Sequence, residues 1–257
     1  MRLRLGHLHV PSVTSYQHAA ALQSRLVHAF LASKSSTSST AAPKLTIPHG
    51  TTNITIPPGP SILTFEMQPV YTCGRREIGT ISPEQQAFLR ANGQAQFVEA
   101  QRGGQTTFHG PGQLVAYPII DLREHNIRPR CYVRLLENSV IATLARYGIK
   151  GFTTDNPGVW TTEDKKIAAV GVHLRRNVTS HGIGLNVNTD LWWFNRIVAC
   201  GLEGKQTTSL EREGVQGKTV EEVGAVFAHE FGKLLGAEEM YPLTEERILE
   251  LPEGTGS

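Results

Sequence analysis

The chain has 257 residues, of which 39% are apolar and 19% charged, with a formal net charge of +2 at pH 7. That length suits one sizeable domain or two small ones, and the apolar share is enough for a real core. So mild a charge does not by itself argue for a nucleic-acid binder, no RNP, zinc-finger or basic-helix pattern occurs, and no stretch reaches the roughly 18 apolar residues of a membrane-spanning helix.

No acidic residue precedes Glu66, whereas Arg2, Arg4, Arg25, Lys34 and Lys44 are basic and Ser and Thr are frequent. Such a start either has the composition of a mitochondrial targeting segment or is a helix and a polar loop that happen to lack acids. Residues 15–33 place Ala19, Leu22, Leu26 and Phe30 on one helical face. Residues 34–60, rich in Ser, Thr, Pro and Gly, read as a flexible surface insertion. "SILTFEM", "QFVEAQ" and "QLVAYPII" read as strands, and residues 132–147 as a helix with Val133, Leu136, Val140 and Leu144 aligned. "GVWTT", "KIAAVGVHL" and "VTSHGIGLNVNT" follow as strands joined by the "EDK" and "RRN" turns, so neighbours should pair antiparallel. Asp190 is a candidate N-cap, and Thr219 with Glu222 is spaced as a capping box before "VEEVGAVFAHEFGKLLG". Residues 239–257 read as a frayed tail. The sum is a single α+β domain over residues 1–257, with a mixed, largely antiparallel sheet and flanking helices.

Three widely spaced cysteines, Cys73, Cys131 and Cys200, lack the CxxC pairs of a zinc site and suit a reducing compartment. Neither GxGxxG nor GxxxxGK[ST] occurs. Three segments nevertheless stand out. "RGGQTTFHGPGQLVAYP", residues 102–118, sets glycines beside Thr107, His109, Gln113 and Tyr117. Glycines there either let a ligand approach the main chain or only build turns, and the ligand could be a phosphate or an acyl chain. Around Lys166 the residues Ala168, Ala169, Gly171, Gly182 and Gly184 are small. They leave room either for a packed helix or for a narrow apolar tunnel. Cys200, before Gly201, stands at a helix-to-loop junction.

Taken together, "PVYTCGRR", "RGGQTTFHGPGQLVAYPIIDL", "KIAAVGVHLRRNVTSHGIGLNVNTDL", "FNRIVACG" and "TSL" resemble, in this order, the lipoyl(octanoyl) transferases of the biotin/lipoate protein ligase superfamily. The resemblance implies transfer of octanoyl from the phosphopantetheine of acyl carrier protein to a lysine of a lipoyl domain, the first step of endogenous protein lipoylation. It implies a cysteine acyl-thioester at Cys200, with Lys166 lowering that thiol's pKa. The acyl contacts it implies are Arg102, Gly103, Gly104, Gln105, Thr106, Thr107, Phe108 and His109, then Ala169, Val170 and Gly171, then Gly182, Ile183 and Gly184. No metal or bound cofactor is implied. The partners are acyl carrier protein, the lipoyl domains of 2-oxoacid dehydrogenase complexes and the glycine cleavage H protein. The compartment is the mitochondrial matrix for a eukaryotic chain, the cytoplasm for a bacterial one. The chain departs from the pattern at Met67-Gln68, Gly184 and Ala199, none of which is Cys200 or Lys166.

This chemistry suits the residues. A free thiol ionises near pH 8.5, so a neighbouring ammonium is needed to hold a thiolate at pH 7. Amides near Gly103, Gly104 or Cys200 are candidates for an oxyanion site. His109 is either a partner of the acyl carbonyl or thiol, or a structural bridge. Cys73 and Cys131, each beside arginine, are rival nucleophiles, and Lys165 rivals Lys166. The paired arginines 75/76 and 175/176 would make a basic rim for acidic protein partners. Two other functions fit parts of the pattern: an ATP-dependent lipoate or biotin ligase, and a non-catalytic acyl- or lipoyl-protein-binding relative.

Overall fold

A computed structural model describes residues 3–35, 43–49, 52–56, 58–197 and 204–253. In chain order the elements are β1 (Arg4–Thr14), α1 (Tyr16–Ser35), β2 (Leu45–His49), β3 (Thr52–Ile56), β4 (Ser61–Met67), β5 (Val70–Cys73), α2 (Pro83–Leu89), β6 (Gln96–Glu99), β7 (Thr107–His109) and β8 (Gln113–Ile119). Then come α3 (Pro129–Ala145), β9 (Val159–Trp160), β10 (Lys165–Arg175), β11 (Val178–Asn186), β12 (Gln206–Thr207), α4 (Val220–Leu235), β13 (Glu239–Pro242) and α5 (Glu245–Leu249).

The main sheet runs β12-β10-β11-β8-β4-β1-β13, with β9 also on β10. The pairs β10/β11, β11/β8, β8/β4 and β9/β10 are antiparallel, while β1/β4, β1/β13 and β10/β12 are parallel. Both faces of the sheet are covered, and β8 shows how. All seven of its residues are buried. Leu114 and Ala116 face the core under α3 and α4, whereas Val115, Tyr117 and Ile119 face the core under α1 and α5. A period of two feeding two cores is why this strand reads as an unbroken apolar run.

The helices bury the faces that their spacing selects. Ala19, Leu22, Leu26 and Phe30 of α1 are all within 3% of full burial, and Leu136, Val140 and Leu144 of α3 are fully buried. Helix α3 starts three residues ahead of the periodic stretch because Pro129 occupies its first turn, where no amide proton is missed. The α4 capping box is closed in both directions: Glu222 N donates to Thr219 Oγ1 and Thr219 N to Glu222 Oε2, each at 3.1 Å.

Two expectations are revised. The 34–60 stretch contains the β2–β3 hairpin, paired from Leu45↔Ile56 to His49↔Thr52. The tail expected to fray carries β13 and α5, because Tyr241, Leu243, Ile248 and Leu251 bury beside α1 and β1. A separate three-stranded sheet, β6-β5-β7, stands at one side of the main sheet, and its β7 leads directly into β8.

Candidate active site

Between the main sheet and the loop preceding β7 lies a cavity of about 440 Å³. Its sheet wall is the face of β10 and β11 that carries Ala169, Gly171, Gly182 and Gly184. Among the described residues no helix packs on these small residues; Gly171 and Gly184 let the Arg102 loop and the His109 and Gln113 side chains approach the sheet closely. Its other wall is the loop from Arg102 to Thr107, together with His109. The walls are held close: a Cβ on Gly171 would stand 2.9 Å from Gly103 O and 3.1 Å from Arg102 Cδ. Gly103 N donates to Val172 O at 2.9 Å, which binds the loop to β10. That amide is therefore spent, and is no longer a free oxyanion donor.

Arg102 fixes the loop from within. Its Nε donates to Thr72 Oγ1 (3.1 Å), its Nη1 to Gly103 O and Gln105 O (3.0 and 2.9 Å), and its Nη2 to Thr72 O and Oγ1 (2.5 and 2.7 Å). A guanidinium has five N–H donors, and five contacts account for them. Arg102 is thus a brace, with no donor left over for a phosphate.

His109 is bound to β8 by a relay. Gln113 Nε2 donates to Phe108 O (3.2 Å) and Asn186 Oδ1 (2.9 Å), which turns Gln113 Oε1 toward His109 Nδ1 at 2.6 Å. Asn186 Nδ2 donates in turn to Thr208 O, and Thr208 N to Lys166 O, both at 2.9 Å. Nδ1 therefore carries the proton and Nε2 the lone pair. Burial, then the Arg102 charge, pushes this imidazole down to about 4, so it is neutral at pH 7. A neutral imidazole with its lone pair outward accepts from a thiol or an amine; it cannot donate to an acyl carbonyl.

Lys166 lines the same cavity and is 6% exposed. Its Nζ donates to Pro157 O at 2.7 Å and lies 5.4 Å from the Trp160 ring centre. Gly158 makes this possible: at φ +121°, a Cβ there would stand 2.4 Å from Lys166 Cε. Lys165 is exposed beside the turn.

Of the other residues singled out from sequence, Arg102 to Thr107, His109, Ala169, Val170, Gly171, Gly182, Ile183 and Gly184 all line the cavity. Phe108 does not. Strand alternation sends it to the opposite face of β7, where it stacks on Trp193 at 5.0 Å and packs against Tyr71 and Phe194. Cys200 lies outside the described residues. Ile197, three positions before it, and Thr207 both line the cavity. Cys73 is buried and Cys131 exposed. Burial, then Glu99, raises the Cys73 thiol above its ordinary range, and neither cysteine is a lining residue. His181, Asn186 and Pro157 join the lining without having been singled out. The only hint was that His181 precedes Gly182 and Asn186 closes the same strand. Among the described residues, no group of three or more His, Cys, Asp or Glu is placed to share a metal ion.

Residues 16–232 match the family model of the lipoyl protein ligase A/B catalytic domain. A Schizosaccharomyces pombe protein named "Probable octanoyltransferase" is 49% identical over 204 residues, 79% of this chain and 83% of that one. The mitochondrial octanoyl-[acyl-carrier-protein]:protein N-octanoyltransferase of Homo sapiens is 42% identical over 76% of this chain and 81% of its own. In fold, the chain matches lipoate-protein ligase A bound with ATP at a TM-score of 0.63 and 14% identity, over 96% of this chain and 91% of that one. It matches the bipartite lipoate protein ligase of Thermoplasma acidophilum at 0.61 and 15% identity, over 96% and 89%. A mostly apolar cavity with small residues on its sheet wall, a buried lysine in its lining and these relatives agree: the chain belongs to the octanoyltransferases of the lipoyl protein ligase A/B catalytic family.

Proposed function

We propose that this octanoyltransferase takes its octanoyl group from the phosphopantetheine thiol of acyl carrier protein and passes it to a lysine of a lipoyl domain through a thioester on Cys200. The observation that carries the reading is Lys166, a buried lysine on the wall of a mostly apolar cavity.

In this reading Lys166 starts as the ammonium and Cys200 as the thiolate. The thiolate attacks the donor carbonyl, and the carrier's sulfur leaves with the Lys166 proton. The neutral Lys166 then takes a proton from the incoming amine as that amine attacks the acyl-enzyme. Cys200 leaves as a thiolate, again opposite an ammonium. The lone pair on His109 Nε2 is available to an amine or thiol hydrogen in either half-reaction. No resident cofactor is needed, since the acyl group arrives on its carrier.

Arg75, Arg76, Arg175 and Arg176 are exposed, and both Arg75 and Arg175 lower the pKa of His173 after burial has done so. They supply a basic rim suited to acidic carrier and lipoyl domains, including those of 2-oxoacid dehydrogenase complexes and the glycine cleavage H protein. The human relative is named as mitochondrial, which favours the matrix for a eukaryotic chain; for a bacterial one the compartment would be the cytoplasm. No helix among the described residues is long and apolar enough to cross a membrane.

The test is intact-protein mass after mixing with octanoyl-carrier protein without ATP. A gain of one octanoyl group, labile to hydroxylamine and absent from Cys200→Ala, is expected. A gain that persists in Cys200→Ala would move the nucleophile elsewhere, and modification of a lipoyl domain only with ATP and free octanoate would favour a ligase.

A further inference from the structure

A single charged side chain, that of Glu137, stands among the buried residues of α3. Burying a carboxylate is costly unless it is paired, so its contacts show what it serves. Its Oε1 accepts from Gly158 N at 3.0 Å, and its Oε2 lies 3.5 Å from Nη1 of Arg134, a side chain more than half exposed.

The Gly158 N–H belongs to the same peptide group as the Pro157 carbonyl, which accepts from Lys166 Nζ at 2.7 Å. This peptide is trans, so its N–H and C=O point in opposite directions. One end is held by the Glu137 carboxylate, and the other meets the Lys166 amine. Through the peptide, carboxylate oxygen and lysine nitrogen are no more than about 8 Å apart. An anion on the N–H side polarises the amide and makes its carbonyl a better acceptor. The turn fits closely around this chain of contacts, since a Cβ on Gly158 would stand 2.5 Å from Ala168 O and 2.9 Å from Lys166 Nζ. Pro157 and Lys166 line the cavity, whereas Glu137 stands behind the wall. A lysine has a flexible four-carbon stem, so a fixed carbonyl decides where its ammonium rests.

We propose that Glu137 is a positioning residue for Lys166: from behind the cavity wall it aims the Pro157 carbonyl at the lysine ammonium and so fixes where that ammonium stands. The inference rests on the acyl-transfer reading above.

The experiment follows acyl-enzyme mass against time with octanoyl-carrier protein and no ATP. It compares the native chain, Glu137→Leu and Glu137→Gln, each with Lys166 intact and with Lys166→Ala. Glu137→Leu leaves the Gly158 N–H without its acceptor and should slow acyl-enzyme formation about tenfold or more when Lys166 is intact. With Lys166→Ala it should change the rate by less than about twofold, because no ammonium is left to place. Glu137→Gln still offers Gly158 an oxygen and should stay within about threefold of native. A merely structural role gives a different pattern, since a disturbed cavity slows transfer with or without the lysine. Equal losses in the two backgrounds, or a Glu137→Leu rate within about twofold of native, overturn the proposal. Glu137→Gln as slow as Glu137→Leu overturns it too, because the hydrogen bond would not be the means. If Glu137→Leu does not fold, Glu137→Asp replaces it in the same comparison, its carboxylate withdrawn from Gly158 by about 1.5 Å. A native chain that gains no octanoyl mass, or a Lys166→Ala chain as fast as native, overturns the acyl-transfer reading, and the positioning role with it.

Discussion

Lys166 is a buried residue on the cavity wall, and a neighbouring anion stabilises a buried cation. In the proposed mechanism the Cys200 thiolate depends on a charge at Lys166, so Lys166→Ala should slow acyl-enzyme formation at pH 7 by about 100-fold or more. The sign of the pH effect follows. Without the ammonium, the thiol ionises near its ordinary value of about 8.5, so the variant should recover part of its rate as the pH rises toward 9. Acyl-enzyme mass followed against time between pH 6.5 and 9 measures this. A variant as slow at pH 9 as at pH 7 would remove Lys166 from the activation of the thiol. The other polar residues of the cavity have different duties. Arg102 spends its donors on Thr72 and its own loop, and His109 spends its one proton on Gln113, so each of these arranges the space without changing its charge.

At the level of elements, α4 illustrates what a few local rules can fix. Thr219 begins it, Gly236 ends it in the left-handed region, and Phe227 and Phe231 bury against the sheet core. Thr219→Ala should cost about 1 kcal/mol, and a domain of this size should then melt about 2–4 °C lower. A thermal melt by circular dichroism checks it, and an unchanged midpoint would mean that packing alone holds the start of this helix. These elements were legible because each carries its own punctuation: the capping box, the Asp190 cap accepted from Trp192 N at 2.9 Å, and the tight turns between β9, β10 and β11. The β2–β3 hairpin was not, because threonines and prolines blur its alternation. Nor were β13 and α5, whose short apolar positions gain meaning only beside β1 and α1. In the site, glycines and alanines on β10 and β11 announced a space, but not what faced it. Phe108 was misplaced because a contiguous motif hides the alternation of a strand. His181 was missed because its positive φ, which turns it to the cavity, leaves no mark in sequence.

For the molecule as a whole, the buried histidines set a limit in acid. His7 and His109 are held down to about 4 and His181 to about 3, in each case first by burial. The unfolded chain takes up these protons near pH 6.5, so between 6.5 and 4 it binds more of them than the folded chain, and stability rises with pH. The contribution is complete above about pH 6.5 and is lost as the pH falls toward 4; His109 alone would account for about 3 kcal/mol. Urea midpoints at pH 7.0, 5.5 and 4.5 at constant ionic strength should fall steeply, and equal midpoints at 7.0 and 4.5 would contradict this account. The sheet has a consequence of another kind, in time rather than energy. Strand β1 lies between β4 and β13, with Arg4 opposite Glu239. As the chain is synthesised, β4 can pair with β1 early, but the other edge of β1 has no partner until β13, far downstream at Glu239–Pro242, has emerged. Over that interval an unpaired row of backbone N–H and C=O groups is open to any neighbouring strand. Among the described strands, the last to be made is thus the one that closes the first.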